Sequence, residues 1–128
     1  MTITGMANLA VKVGDIGAAV DFYRRAGAYV TDAEQWRNGH RADVHLGPLQ
    51  ITLFTHAVYE ADVSGLPDEG FLHVALFTDN LDREIEGHAV AWGPEIVSGP
   101  TFGTRRIVFV DAPGNMRLEF MEQLEEPA

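Results

Sequence analysis

The residues of this chain that could bind a metal or carry a proton are its five histidines and nineteen acidic side chains. There is no cysteine, so thiolate metal sites, disulfides and a cysteine nucleophile are excluded. Any metal would have to be held by nitrogen and oxygen ligands. His45 follows Asp43 by two residues in a predicted strand. Arg105 and Arg106 could bind an anionic group of a substrate.

Several functional classes are not supported by the sequence. The net charge of -10 argues against nucleic acid and against an anionic membrane surface as partners. No apolar stretch is long enough to span a bilayer, and residues 1–6 lack the parts of a signal peptide. The glycines near Asp15 lack the spacing and lysine of a P-loop, and no serine-hydrolase motif occurs. We therefore expect a cytoplasmic protein with a small-molecule partner.

The predicted strands and helices that position these residues occur in two similar repeats along the chain. The segment from Asn8 to Ile16 matches the segment from His73 to Leu81 in its apolar pattern, at an offset of 65 residues. A second match joins Gly47–Thr52 to Gly114–Glu119 at an offset of 67. Internal repetition of this kind indicates a duplicated unit. The 128 residues therefore predict one domain, with repeats at about 5–58 and 70–123.

Each repeat reads as a strand, a helix and then further strands. Asp15 is placed to cap the first helix, Gly27 to end it, and Gly93-Pro94 to end the second. The polar segment from Glu60 to Gly70 reads as the linker, and the tail from Glu122 as a frayed end. Predicted strands are Leu9–Val13, Ala28–Thr31, Arg41–Leu46, Gln50–Thr55, His73–Phe77, Glu95–Ser98, Arg105–Val110 and Met116–Phe120, and predicted helices run to about Ala26 and from Leu81 to about Ala91.

Three segments in this order resemble the vicinal oxygen chelate superfamily, which includes glyoxalases, bleomycin-resistance proteins and dioxygenases. They are Asp15–Tyr23, like the family's first helix, His73–Leu76, like the strand that opens the second half, and Val108–Phe120, like the closing hairpin. Ala112 departs from the family pattern, where proline is usual. The resemblance implies an α+β fold in which two tandem βαβββ units form an open, cup-like mixed β-barrel. It also implies a homodimer.

In metal-using members, four strand positions point into the barrel and hold one divalent ion. The resemblance places Asn8, Thr52, His73 and Glu119 at these positions. His73 and Glu119 suit a divalent metal such as Zn, Ni, Mn or Fe. Asn8 stands where the family usually has His, and Thr52 where it has Glu, Gln or His. The metal set is therefore incomplete, and the chain could use no metal at all.

Further side chains are candidates for contacts with a substrate. Gln50 alternates onto the same strand face as Thr52, and His45 lies on a neighbouring strand. Phe54 could line a pocket for a flat ligand, and Trp36 lies in a predicted loop, Glu34 to Gly39, where function is often carried. The segment from Gly99 to Thr104 resembles the family's flexible loop over the barrel mouth, and Arg106 follows it.

The resemblance leaves two functional classes open. The first is an isomerase, epimerase or lyase that acts beside a carbonyl through an enolate-like intermediate, with His73 and Glu119 as metal ligands or as an acid/base pair. The second is a metal-free protein that sequesters an aromatic antibiotic or a related metabolite. A dimer with only an accessory or structural role and no ligand would leave His73 and Glu119 unused. Of the two functional classes, the enzyme is slightly favoured.

Overall fold

The computed structural model describes residues 2–128 and contains nine strands and two helices. The first repeat comprises β1 (Ile3–Lys12), α1 (Ile16–Arg25), β2 (Tyr29–Val30), β3 (Glu34–Trp36), β4 (Gly39–Leu46) and β5 (Leu49–Phe54). The second repeat comprises β6 (Gly70–Thr78), α2 (Leu81–Gly87), β7 (Val90–Gly99), β8 (Gly103–Ala112) and β9 (Met116–Glu125). Within residues 2–128, no helix is long and apolar enough to cross a membrane.

Strand pairing is the same in the two repeats. In the first, β1 runs parallel to β5, which pairs antiparallel with β4, and β4 pairs with β2. In the second, β6 runs parallel to β9, which pairs antiparallel with β8, and β8 pairs with β7. Both repeats therefore have the predicted βαβββ order with a mixed sheet, and the first repeat carries β3 as an additional short strand on β4. The chain also divides into two compact units, one of Asn8–Leu72 and one of residues 2–7 with His73–Ala128.

The core of the unit Asn8–Leu72 lies between α1 and one face of its strands. Asp15 caps the helix as predicted, because its Oδ1 accepts a hydrogen bond from the Ala18 amide at 3.0 Å. Gly27 follows the helix with φ of 94°, the left-handed conformation that favours glycine. The buried residues of this core are Val20, Val30, Ala42, Val44 and Leu53.

The core of the other unit lies under α2, which is shorter than predicted. The helix ends at Gly87, and Val90 and Ala91 already belong to β7, so its prediction to Ala91 was wrong. His88 is extended and stacks on Phe120 with ring centroids 5.2 Å apart. The buried residues of this core are Leu81, Val108, Val110 and Phe120.

Gly93-Pro94 interrupts a strand rather than a helix. The register of β7 against β8 shifts between Trp92 and Glu95, so the pair sits in an irregularity of the ladder, where proline is tolerated. Trp92 lies in the same strand, β7, and the centroid of its ring is 5.8 Å from that of Phe109.

Two segments predicted to be irregular are ordered strands. Glu34–Trp36 pairs antiparallel with β4, and Arg37 turns the chain with φ of 51°. At the C-terminus, β9 continues to Glu125, and the Gln123 side-chain amide donates to the carbonyls of Phe102 and Glu125. Both predictions were wrong. Strand β3 forms a short hairpin with β4, and the end of β9 is fixed in part by the bond from Gln123 to Phe102, which is 21 residues away.

The segment resembling a flexible loop is a tight hairpin turn between β7 and β8. Gly99 pairs with Gly103 across the turn, and the Phe102 amide donates to the Gly99 carbonyl. Phe102 is buried. Gly103 has φ of 81°, and a Cβ there would collide with the carbonyl oxygen of Glu125, so the turn and the C-terminal strand fit closely together.

The predicted linker begins with an ion pair that should make stability depend on pH. Lys12 Nζ donates to Glu60 Oε1 at 2.5 Å, and this bond lowers the pKa of Glu60 below its ordinary value of 4.5 despite partial burial. A depressed carboxyl pKa stabilises the fold above 4.5 and stops doing so as pH falls through the lower folded value. We expect Glu60→Gln to cost about 1 kcal/mol at pH 7.

Urea unfolding at several pH values checks this expectation. The difference between the wild type and Glu60→Gln should shrink as the pH falls below 4.5. Glu86→Gln, which alters an exposed helix residue, is the matched control and should change little at any pH. A cost that is equal at pH 7 and pH 3 would show that the ion pair is not its source.

Candidate functional site

His73 and Glu119 lie together on neighbouring parallel strands of one unit. His73 Nε2 is 3.1 Å from Glu119 Oε1, and the two side chains are 4% and 9% exposed. In the ladder between β6 and β9, Ala75 is opposite Glu119 and Val74 is opposite Leu118. The structure therefore brings the two principal candidate residues into direct contact, although the sequence separates them by 46 positions.

Strand alternation explains why these polar residues share a face. Leu118 and Phe120 of β9 pack in the core under α2, so Glu119 between them points to the opposite face. On β6, Leu76 packs against the same core, and His73, three positions earlier, falls on the face of Glu119.

An aromatic ring supports the imidazole. The ring of Phe109, which is paired with Glu119 across β8 and β9, lies 4.9 Å from that of His73 at 74°. Trp92 packs against the far side of this arrangement by its contact with Phe109. A buried, edge-on aromatic contact limits rotation of the imidazole, so its nitrogen stays directed at the carboxylate.

One oxygen of Glu119 is available for a further partner. Its contact with His73 uses Oε1, and within residues 2–128 no hydrogen bond is made to Oε2. The atom is not sealed from solvent either. A largely buried carboxylate with one oriented oxygen and one open oxygen can accept a proton from a bound molecule.

The other predicted polar residues lie in the unit Asn8–Leu72, where Asp43 is the central residue. Thr52 Oγ donates to Asp43 Oδ1 at 2.9 Å, and Gln50 Nε2 donates to the same atom at 3.1 Å. Asn8 is buried on β1. Thr52 and Gln50 are thus brought together, at a carboxylate that was not predicted to be a site residue.

Asp43 belongs to a buried ion-pair chain. Arg41 Nη2 is 2.9 Å from Asp43 Oδ1, and Arg41 Nη1 is 2.6 Å from Glu34 Oε1. Arg41 is 5% exposed. The pairing of β3 with β4 sets Glu34 opposite Arg41. The alternation of Arg41, Asp43 and His45 along the strand is visible in the sequence. The ion pair of Arg41 with Glu34 could not be predicted, because β3, which carries Glu34, was predicted to be a loop.

The remaining candidates make aromatic contacts. His45 lies 5.6 Å from the ring of Tyr29. Phe54 lies under the guanidinium of Arg41 at 5.9 Å, and Arg37 lies over the ring of Trp36 at 5.7 Å. Trp36 is in a strand rather than the predicted loop. Their roles in binding a substrate stay predictions.

Of the two candidate arginines, Arg105 lines a hollow and Arg106 forms an ion pair with α2. Arg106 Nη1 is 2.7 Å from Asp82 Oδ1 on α2, so its strand face is that of the helix. Arg105 lies between the rings of Phe77 and Phe102, at 5.3 and 5.1 Å. It lines a hollow of about 510 Å³ together with Thr4, Phe77, Thr78, Asp79, Glu122, Gln123 and Glu126. The predicted role of Arg106 in binding a substrate stays a prediction.

The described side chains do not supply a complete donor set for the predicted divalent metal. Within residues 2–128, no three His, Cys, Asp or Glu side chains are grouped so that they could hold a metal ion. His73 and Glu119 alone supply two strong donors, whereas catalytic zinc sites commonly use three. The described donors therefore do not fit a tightly held transition metal.

Several solved structures have a similar fold. Methylmalonyl-CoA epimerase from Mycobacterium tuberculosis is 19% identical, with a TM-score of 0.70 over 99% of this chain and 90% of that one. A hypothetical protein from Bacillus halodurans is 20% identical, with a TM-score of 0.71 over 96% of each chain. A variant of Streptomyces coelicolor methylmalonyl-CoA epimerase, in complex with 2-nitronate-propionyl-CoA, is 21% identical, with a TM-score of 0.68 over 97% of this chain and all of that one.

This chain has the glyoxalase-like α+β fold. The sequence matches no protein-family model and no curated protein, so the likeness is one of structure. The predicted fold class, α+β and glyoxalase-like, is confirmed. At this low identity the likeness extends to the fold alone, because one fold can host many functions.

Proposed function

We propose that this glyoxalase-like protein is an isomerase or epimerase that moves a proton on a carbon beside a carbonyl group. The observation that carries the proposal is the contact of 3.1 Å between His73 Nε2 and Glu119 Oε1, with both side chains nearly buried. The open Oε2 of Glu119 is the proposed base. The epimerases among the structural neighbours support this class of reaction over others.

In the proposed reaction, Glu119 Oε2 takes the proton from the substrate carbon. The C–H bond breaks, and its electron pair moves to the carbonyl oxygen to give an enolate. Return of a proton to the opposite face of the same carbon gives the epimer, and its return to a neighbouring carbon gives another isomer. Departure of a neighbouring group instead would make the reaction an elimination. The imidazole of His73, when protonated at Nε2, donates to Oε1 and orients the carboxylate.

Small acyl thioesters are the proposed substrate class. One structural neighbour is in complex with methylmalonyl-CoA and another with 2-nitronate-propionyl-CoA, and both ligands are acyl-CoA compounds. The hydrogen between the two carbonyls of methylmalonyl-CoA is acidic enough for a carboxylate to remove. This compound is therefore the first substrate to test.

Exchange of that hydrogen in D₂O tests the proposal. The wild-type protein should speed its replacement by deuterium well above the rate without protein, as measured by ¹H NMR. Acetyl-CoA, whose hydrogens are less acidic, serves as a comparison for spontaneous exchange. If neither this substrate nor a panel of 2-substituted acyl-CoA compounds exchanges faster than without protein, the proposed function is wrong.

The proposed mechanism predicts activity without a divalent metal. Because the described donors supply only the pair His73 and Glu119, untagged protein treated with EDTA should retain its rate of exchange. Titration with zinc, nickel, manganese and iron(II) should show no stoichiometric binding by calorimetry. One equivalent of tightly bound metal that is lost in His73→Ala would contradict this and restore the metal-dependent mechanism.

Sequestration of an aromatic ligand is the second candidate function. The replacement of two usual metal ligands by Asn8 and Thr52 favours it, because a binding protein needs no complete metal set. Titration with bleomycin, monitored by the fluorescence of Trp36 and Trp92, distinguishes the two functions. Saturable quenching without any acyl-CoA exchange would favour sequestration. The predicted homodimer is checked in the same samples by sedimentation equilibrium.

A further inference from the structure

Arg117 lies beside the proposed base on the same face of the sheet. It precedes Glu119 by two residues on β9, and strand alternation directs both side chains to one face, about 7 Å apart along the strand. The pairing of β8 with β9 agrees with this, because Arg117 is opposite Asp111 and Glu119 is opposite Phe109. The proposed site therefore has a guanidinium group next to its carboxylate.

Arg117 is also the neighbour of His73 on the adjacent parallel strand. Val74 is opposite Leu118 in the ladder between β6 and β9, so one step earlier His73 is opposite Arg117, and both residues lie within their strands. Neighbouring strands are about 4.8 Å apart. The imidazole and the guanidinium therefore project side by side from the face on which His73 meets Glu119.

This face of β6 and β9 is open at the end that carries Arg117. In one direction from the histidine and the glutamate, the next residues on the face are Ala75 of β6 and Met121 of β9, and both are buried. In the other direction, Phe71 of β6 is 45% exposed. Solvent therefore meets this face at the end of Phe71 and Arg117.

The ion pair of Arg117 with Asp111 does not account for the burial of the arginine. Arg117 Nε is 3.3 Å from Asp111 Oδ1, and the two side chains are 18% and 67% exposed. An ion pair with so exposed a carboxylate contributes little to stability. This bond engages one of the five N–H donors of an arginine, and a guanidinium binds a carboxylate best through two parallel bonds.

The charge of the protein gives such an arginine a role. The chain has a net charge of -10, so an anionic substrate needs a local positive group at the site. A carboxylate beside the acidic carbon also opposes the negative charge that develops when the proton leaves. A guanidinium bound to that carboxylate offsets this charge and favours the proton transfer.

We propose that Arg117 is a specificity-determining residue of the proposed reaction and binds a carboxylate group of the substrate. The inference rests on the proposed function and narrows its substrate class. Arg117 Nη1 and Nη2 hold a carboxylate on the carbon that bears the acidic hydrogen, and that hydrogen then faces Glu119 Oε2. Arg117 thereby selects malonyl-type thioesters from the wider class of acyl-CoA compounds.

Two substrates that differ in charge test this role. Methylmalonyl-CoA has a carboxylate, and 2-methylacetoacetyl-CoA has a neutral acetyl group in its place. In the deuterium-exchange assay, corrected for exchange without protein, Arg117→Gln should lower kcat/KM for methylmalonyl-CoA about 10–100-fold more than for 2-methylacetoacetyl-CoA. Arg117→Lys keeps the charge and should recover part of the lost preference. Equal losses for the two substrates, or no loss with methylmalonyl-CoA, would overturn the proposal.

Asp111→Asn separates substrate binding from a purely structural role of the ion pair. This variant removes the carboxylate that is paired with Arg117 but leaves the guanidinium in place. The preference for methylmalonyl-CoA should therefore be kept. A loss of preference as large as that in Arg117→Gln would show that the arginine acts only through Asp111, and the proposal would be wrong.

A binding measurement distinguishes failure of this inference from failure of the proposed function. By calorimetry, the wild-type protein should bind methylmalonyl-CoA about tenfold or more tightly than propionyl-CoA, which lacks the carboxylate. If this difference is found and neither exchange substrate reacts, the proposed function is wrong and the carboxylate site stands. Equal affinities for the two compounds overturn the inference, and this comparison also decides if Arg117→Gln does not fold.

Discussion

Glu119→Gln is expected to lower the exchange of the acidic hydrogen of methylmalonyl-CoA by about 10²–10⁴-fold, the range typical of a lost general base. Glutamine has nearly the same shape, and its amide oxygen can still accept from His73 Nε2. It cannot take a proton, because the position of the open Oε2 then holds either an NH₂ group or a neutral carbonyl oxygen. The loss should therefore appear in the rate of exchange, with the fold unchanged by circular dichroism.

Two further variants serve as controls for the loss of exchange in Glu119→Gln. Glu86→Gln removes a carboxylate from the exposed side of α2 and should leave exchange unchanged. Glu119→Asp keeps the charge but shortens the side chain, and it should retain more activity than glutamine. An exchange rate in Glu119→Gln within twofold of the wild type would mean that another group removes the proton.

Phe109→Ala is expected to lower the free energy of unfolding by about 3–5 kcal/mol. Phe109 is 1% exposed, and its ring contacts both His73 and Trp92. Its removal leaves a cavity between β7 and β8 that the paired backbones cannot close. The free energy of unfolding in urea, measured with the fluorescence of the two tryptophans, checks the prediction.

A second substitution at Phe109 distinguishes its role in filling the core from its role in orienting the His73 ring. Phe109→Leu fills most of the cavity and should cost much less than alanine, yet it lacks the ring edge that restrains His73. Phe22→Ala removes a ring that is 59% exposed and should change stability by no more than about 0.5 kcal/mol. A cost for Phe109→Ala below about 1.5 kcal/mol would show that the site is loosely packed.

The repeated βαβββ order was predictable from the sequence because it follows from local patterns. The cap at Asp15 and the left-handed Gly27 are properties of a few neighbouring residues, and the structure has both. The end of α2 was not predictable in this way. Val90 and Ala91 continue the helical pattern, but pairing of β7 with β8 draws Val90 into the sheet, and that contact is distant in sequence.

The site shows the same division. Strand alternation was enough to put Thr52 and Gln50 on one face, and the family resemblance was enough to select His73 and Glu119. The central position of Asp43 depends on which strand lies beside which, and on the pairing of β3 with β4 that orients Arg41 toward Glu34. The pairing of one strand with another cannot be predicted from a single segment. Asp43 was therefore not predicted to be a site residue, although a carboxylate can take part in chemistry.

In the proposed function, the imidazole of His73 and the carboxylate of Glu119 act as one unit in moving a proton. The most direct measurement is the deuterium-exchange rate of methylmalonyl-CoA with the wild type, His73→Gln, Glu119→Gln and the double variant. If the two residues work together, the double variant should be no slower than Glu119→Gln alone. Losses that multiply in the double variant, or single variants that both exchange at the wild-type rate, would contradict the account.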